Sequence, residues 1–138
     1  MRELLLKTIG DHIIANPESA FALTLGGVED DGKNLRYWPW EAGQREEYPY
    51  AVSFIVSDSD AGAIMTSITS FEWQMMLYTK TITEGNALAR FCKALFADAS
   101  LVSAPGCAFT CVYLATYGPM REGNNDPFQT TVTFSCYI

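Results

Sequence analysis

Hydrophobic positions recur at helical spacing over residues 2–15 (RELLLKTIGDHIIA), where Leu5, Ile9 and Ile13 form one stripe with Leu6 and His12 beside it. Asn16-Pro17 ends this pattern, because a proline pushes the preceding residue out of the helical region. Gly10 weakens the helix by about 1 kcal/mol relative to alanine. After Pro49 the period changes to two. Residues 50–56 (YAVSFIV) predict a strand with Tyr50, Val52, Phe54 and Val56 on its inner face. Residues 57–62 read as a turn, and 63–70 as a β-branched connection. A second strand over 71–79 places Phe71, Trp73, Met75 and Leu77 on one face.

Thr81-x-x-Glu84 has the form of a capping box, and Ala87, Leu88, Phe91, Cys92 and Leu95 follow at helical spacing, predicting a helix over 84–98. Ala104-Pro105-Gly106 breaks the chain. Two further strands are expected. Residues 107–117 carry Phe109, Cys111, Tyr113 and Ala115 on one face and Val112 and Leu114 on the other. Residues 129–138 set Val132, Phe134, Cys136 and Ile138 against Thr131, Thr133, Ser135 and Tyr137. Between them, 118–128 (GPMREGNNDPF) reads as a long polar hairpin loop. Residues 21–47 are dominated by turn chemistry, with a short strand expected around 20–25.

Strands adjacent in sequence usually pair as hairpins. The expected class is therefore α+β: a mainly antiparallel sheet of about four long strands with two amphipathic helices packed on one face. Residues 1–138 make one domain of ordinary size.

Composition narrows the function. The chain has 9 basic and 16 acidic residues, a net charge of −7, which argues against ordinary nucleic-acid binding but not against surrounding DNA without gripping it. No apolar run approaches the roughly 18 residues of a membrane span, and Met1–Lys7 lacks the apolar length of a secretory signal. Cys107-x3-Cys111 lacks zinc-knuckle spacing, so Cys92, Cys107, Cys111 and Cys136 read as buried free thiols. His12 is the single histidine, on the margin of an apolar stripe, and reads as structural. No phosphate-cradling motif and no convergent nucleophile, base and orienter occur. Asp58-x-Asp60 and Glu29-Asp30-Asp31 read as solvated loop acids, since the full calcium-loop pattern is missing. No enzyme, cofactor or metal site is expected.

The unusual segment is 36–50 (RYWPWEAGQREEYPY), with three tyrosines, two tryptophans and two prolines around a charged centre. Trp38 and Trp40 flank Pro39 and point roughly the same way if the backbone is extended. A sugar-stacking platform is one reading. Anchoring a sheet edge or a protein interface is the more common use of such residues.

The layout of Arg2–Ala15, YPYAVSFIV, SFEWQMMLYTK, TEGNALARFCKALF and TTVTFSCYI resembles the tail terminator and tail-completion proteins of long-tailed bacteriophages. The resemblance covers most of the chain and implies a structural virion protein, made in the host cytoplasm. Such proteins self-associate as a ring, usually a hexamer, on the last ring of the tail tube protein. They end tail polymerisation and join the head–tail connector protein, while DNA passes through without specific binding. On this reading Trp38, Trp40 and Tyr48 are interface anchors. The segments 58–70 and 118–128 meet the tube or connector, with Asp58, Asp60, Met65, Arg121, Asn124 and Phe128 as contact residues. A head–tail joining (neck) protein of the same fold is one alternative. A monomeric module binding a small ligand or carbohydrate at Trp38 and Trp40 is the other.

Overall fold

The computed structural model describes residues 2–29, 34–40, 47–58, 70–102 and 108–137. The elements run α1 (Arg2–Ala15), α2 (Ala20–Thr24), β1 (Tyr37–Pro39), β2 (Tyr50–Asp58), β3 (Ser70–Thr79), α3 (Ile82–Phe96), β4 (Ser100–Val102), β5 (Ala108–Met120) and β6 (Phe128–Tyr137). The class is α+β, and the described residues form six strands in the order β1-β2-β3-β6-β5-β4: the four long ones expected and two of three residues each, β1 and β4, at the edges. All pairings are antiparallel except β1 with β2, which is parallel.

The helices share one face of the sheet. Leu5, Leu6, Ile9 and Ile13 of α1 are buried there with Phe21, Ala22 and Leu25, and with Leu88, Cys92 and Phe96 of α3. At the centre, Trp73 stacks on Phe134 with ring centroids 4.7 Å apart, while Phe96 meets Trp73 edge-on at 4.8 Å. His12 is structural: its Nε2 lies 3.0 Å from the carbonyl oxygen of Leu95, and its ring packs on Phe96. The capping box forms as expected, the Glu84 amide donating to Thr81 Oγ1 at 3.1 Å, and α3 begins at Ile82 and ends at Phe96. Asp98 follows in the left-handed region (φ 62°), which a short polar residue tolerates, and its amide donates to the carbonyl of Cys111.

Four expectations fail for identifiable reasons. Residues 20–24 are helix, not strand: Ser19 Oγ caps the Ala22 amide, and Phe21, Ala22 and Leu25 fall on one helical face. In β2 the helix-facing side is Ala51, Ser53 and Ile55, whereas Tyr50, Val52 and Phe54 face away and Val56 is exposed. Size decides this, because Tyr37 and α1 lie over the small side chains; the Tyr37 hydroxyl bonds Ser53 Oγ. Tyr37 in turn packs where Gly10 has no side chain. In β5 a register shift between Tyr113 and Ala115 inserts Leu114, so Ala115 leaves the face of Phe109, Cys111 and Tyr113. The hairpin loop is shorter than expected, 121–127, since β5 runs on to Met120. Gly118 has φ 97°, and a Cβ there would lie 2.6 Å from the carbonyl oxygen of Gln129.

The expected connection at 63–70 and the break at 104–106 fall almost entirely outside the described residues. None of the described helices is long and apolar enough to cross a membrane.

Candidate interface surface

Strand alternation sends one set of side chains under the helices and the other to a face that no described helix covers. Across that face the paired positions read Val52, Met76, Thr131 and Tyr117 in one row. The next row is Phe54, Gln74, Thr133 and Ala115. Glu72, Ser135 and Val112 follow, then Ser70, Tyr137 and Thr110. Among these described positions Glu72 alone is charged, in a chain with 16 acidic and 9 basic residues. An antiparallel sheet can leave one face to solvent, but a solvated face of an acidic chain ordinarily shares its charge. Depletion of charge with retention of aromatic residues and methionine is the compositional mark of an interface core. Tyr117, Met120 and Val102 are the most exposed large side chains of this face, at 62%, 61% and 61%, followed by Tyr137 at 47%.

One corner of the face is an aromatic cluster. Tyr50 stacks on Tyr78, with centroids 4.7 Å apart and planes 16° apart. Tyr48 lies 5.3 Å from Tyr50, and Trp38 meets Tyr50 nearly edge-on at 6.0 Å. Arg36 holds this corner in place. Its Nε donates to the Pro49 carbonyl at 2.7 Å and its guanidinium to the Thr24 carbonyl at 3.1 Å, so α2, β1 and the start of β2 are tied together. Beside the cluster, Arg121 lies over the Phe128 ring at 4.7 Å and donates to the Asn124 carbonyl. Tyr48, Lys80, Arg121 and Asn124 line one groove of about 260 Å³. Tyr78, Met120, Arg121 and Gln129 line an adjoining one of about 410 Å³.

The structure thus brings Trp38, Tyr48, Arg121, Asn124 and Phe128 to one end of the sheet. Trp40 is exposed, and its left-handed backbone (φ 69°) ends the extended stretch, so the premise of a shared Trp38/Trp40 platform does not hold. Asp58 closes β2 at the other end, roughly 26 Å away at strand rise. The side chain of Asp58 and all of Asp60 and Met65 lie outside the described residues. No group of three or more potential metal ligands occurs among the described residues.

No protein-family model matches the chain, and no curated protein is significantly similar to it in sequence. Among solved structures, the gp17 protein of bacteriophage SPP1 aligns over 100% of this chain and 95% of that one, with TM-score 0.56 and 11% identity. The fold is shared with a phage protein. At that identity the likeness lies in the path of the backbone, and no residue role passes across with it.

Sequence reasoning missed two features of the surface. Arg36 stands out only once its three-dimensional partners are known. The charge-depleted face was visible as Thr131, Thr133, Ser135 and Tyr137 on β6, but its extent depends on β3 pairing with β6 across 48 intervening residues (80 to 127), with α3, β4 and β5 between them.

On the helix side, α3 and β5 enclose a further groove of about 340 Å³, where Arg90 and Lys93 stand beside Tyr113 and Thr116. Lys93 Nζ sits 4.2 Å above the Tyr113 ring.

Proposed function

We propose that the chain is a structural protein of a phage tail or neck that assembles as a closed ring; its role is to cap the tail tube, end tube polymerisation and form the joint to the head connector. The charge-depleted sheet face carries this reading, and the full-length fold likeness to SPP1 gp17 supports it. A ring closes through heterologous contacts, so each subunit needs two unlike patches. The charge-depleted face supplies one, and the basic groove of Arg90 and Lys93 supplies the other. The two ends of the sheet, one with Arg121 and Asn124 and one with Asp58, then point toward the two partners of the ring, tube and connector. The acidic balance suits a channel through which DNA slides.

A monomeric binding module is the second reading, favoured by the groove beside Tyr48 and Lys80. That groove is small for an organic ligand, whose pockets run from about 300 to 1,000 Å³. Negative-stain imaging with light scattering on the purified protein separates the two: closed rings support the ring reading, and a monomer whose tryptophan fluorescence responds to a sugar supports the module.

A further inference from the structure

Cys111 and Cys136 are directly opposed on β5 and β6, both fully buried under α3. The backbone bonds of Cys111 run the other way: its amide donates to the Ala99 carbonyl at 2.9 Å, and its carbonyl accepts from the Asp98 amide at 2.8 Å. The Cys111–Cys136 pair is therefore a non-hydrogen-bonded pair of the β5–β6 ladder, the kind in which opposed Cα atoms approach to about 4.5 Å. That spacing lies within the range a disulfide spans, about 4.4–6.8 Å. Both thiols point to the same face, and the Trp73 indole N–H donates to Cys136 Sγ at 3.3 Å.

We propose that Cys111 and Cys136 are a latent cross-strand disulfide site, closed by a small two-electron oxidant of the peroxide class. The Cys136 sulfur attacks one peroxide oxygen, the O–O bond breaks, and the departing hydroxide leaves as water with the Cys136 proton. The Cys111 sulfur then attacks the resulting sulfenic acid, forming S–S and breaking S–O, and its proton leaves in a second water. Two thiols are oxidised by two electrons, and one peroxide becomes two waters. The hydrogen bond from Cys111 draws the Cys136 thiol below its ordinary value against the opposing effect of burial, and the Trp73 indole N–H donated to the same sulfur at 3.3 Å stabilises charge on it, so Cys136 is the attacking sulfur. The same bond holds the proton on Cys111. Cys92 is also buried but belongs to α3, outside this ladder. On the function proposed above, the thiols stay reduced in the cytoplasm where the chain folds and close in a released particle. The chemistry itself needs only one chain.

Purified protein treated with hydrogen peroxide and digested without reductant tests this. The expected result is an intact mass lower by two hydrogens, a linked peptide pair containing Cys111 and Cys136, and reversal by dithiothreitol. Cys92→Ser should still form the link, and Cys111→Ser should not. Four intact thiols in the treated wild-type protein, a link through Cys92 or Cys107, or sulfonic acids without a link would overturn the proposal. Because the wild-type peptide map names the pair, the result stands even if a serine variant fails to fold. It is equally independent of whether rings form.

Discussion

Tyr50 and Tyr78 face each other across β2 and β3, their rings stacked 4.7 Å apart on the side of the sheet that no described helix covers. Tyr50 is nonetheless buried, because Trp38 and Tyr48 close around it. The pair therefore belongs to the folded monomer and forms a fixed edge for whatever docks beside it. Tyr50→Ala should cost about 3 kcal/mol, the scale for truncating a buried aromatic, and denaturant melts would read it. Trp40→Ala, at an exposed position, should leave the midpoint unchanged within error.

Gly85 lies in the first turns of α3, where a Cβ would sit 2.9 Å from Pro119 Cγ, 3.0 Å from Thr130 Oγ1 and 3.2 Å from Thr79 Oγ1. Thr79 and Thr130 are fully buried and have little room to yield. Overpacking of about 1–3 kcal/mol outweighs the roughly 1 kcal/mol that alanine brings to a helix, so Gly85→Ala should lower the melting temperature. Thr130 Oγ1 has no hydrogen-bond partner among the described residues. Thr130→Val keeps the shape and removes an unsatisfied hydroxyl, so it should raise stability by about 1 kcal/mol.

Alkaline pH should destabilise the fold. Burial pushes the Cys92 thiol up from its ordinary value near 9.0, and burial pushes the Tyr37 phenol up from 10.0. Above those values the unfolded chain releases protons that the folded chain retains, so stability falls as pH rises. The contribution is complete below about pH 8 and declines from about pH 9 upward. Urea melts at pH 7, 9 and 10.5 should show this slope, and a Cys92→Ala/Tyr37→Phe protein should show a shallower one.

The legible parts of the fold are those where one local rule acts alone. Thr81 and Glu84 announce the start of α3, and Phe134 and Cys136 against Thr133 and Ser135 announce both faces of β6. Alternation misleads in β2, where Val52 and Ile55 are both buried on opposite faces and only the bulk of Tyr37 and α1 decides which side is which. It slips at Leu114, because a bulge adds one residue that leaves no mark in the hydrophobic pattern. The parallel pairing of β1 with β2 and the hub at Arg36 rest on contacts 12 to 14 residues apart through turns, beyond any periodicity. Of the contact residues, Trp38, Tyr48, Arg121, Asn124 and Phe128 gather at one end because β2 starts where the β5–β6 hairpin turns.

The basic groove offers a test of the second patch. Arg90→Glu/Lys93→Glu reverses its charge at two exposed positions, so the fold should persist while assembly weakens, the loss growing at low salt. Unaltered assembly in that variant would remove the groove from the contact.

Sedimentation velocity of the wild-type protein beside Met76→Lys/Thr131→Glu tests whether the charge-depleted face closes the ring. Both substitutions place charge in the middle of the charge-depleted face, on β3 and β6, without entering the helix-side core. The wild type should form closed rings at high concentration, and the variant should remain a folded monomer. A wild-type protein that stays monomeric at every concentration, or a variant that assembles as well as the wild type, would contradict closure through this face.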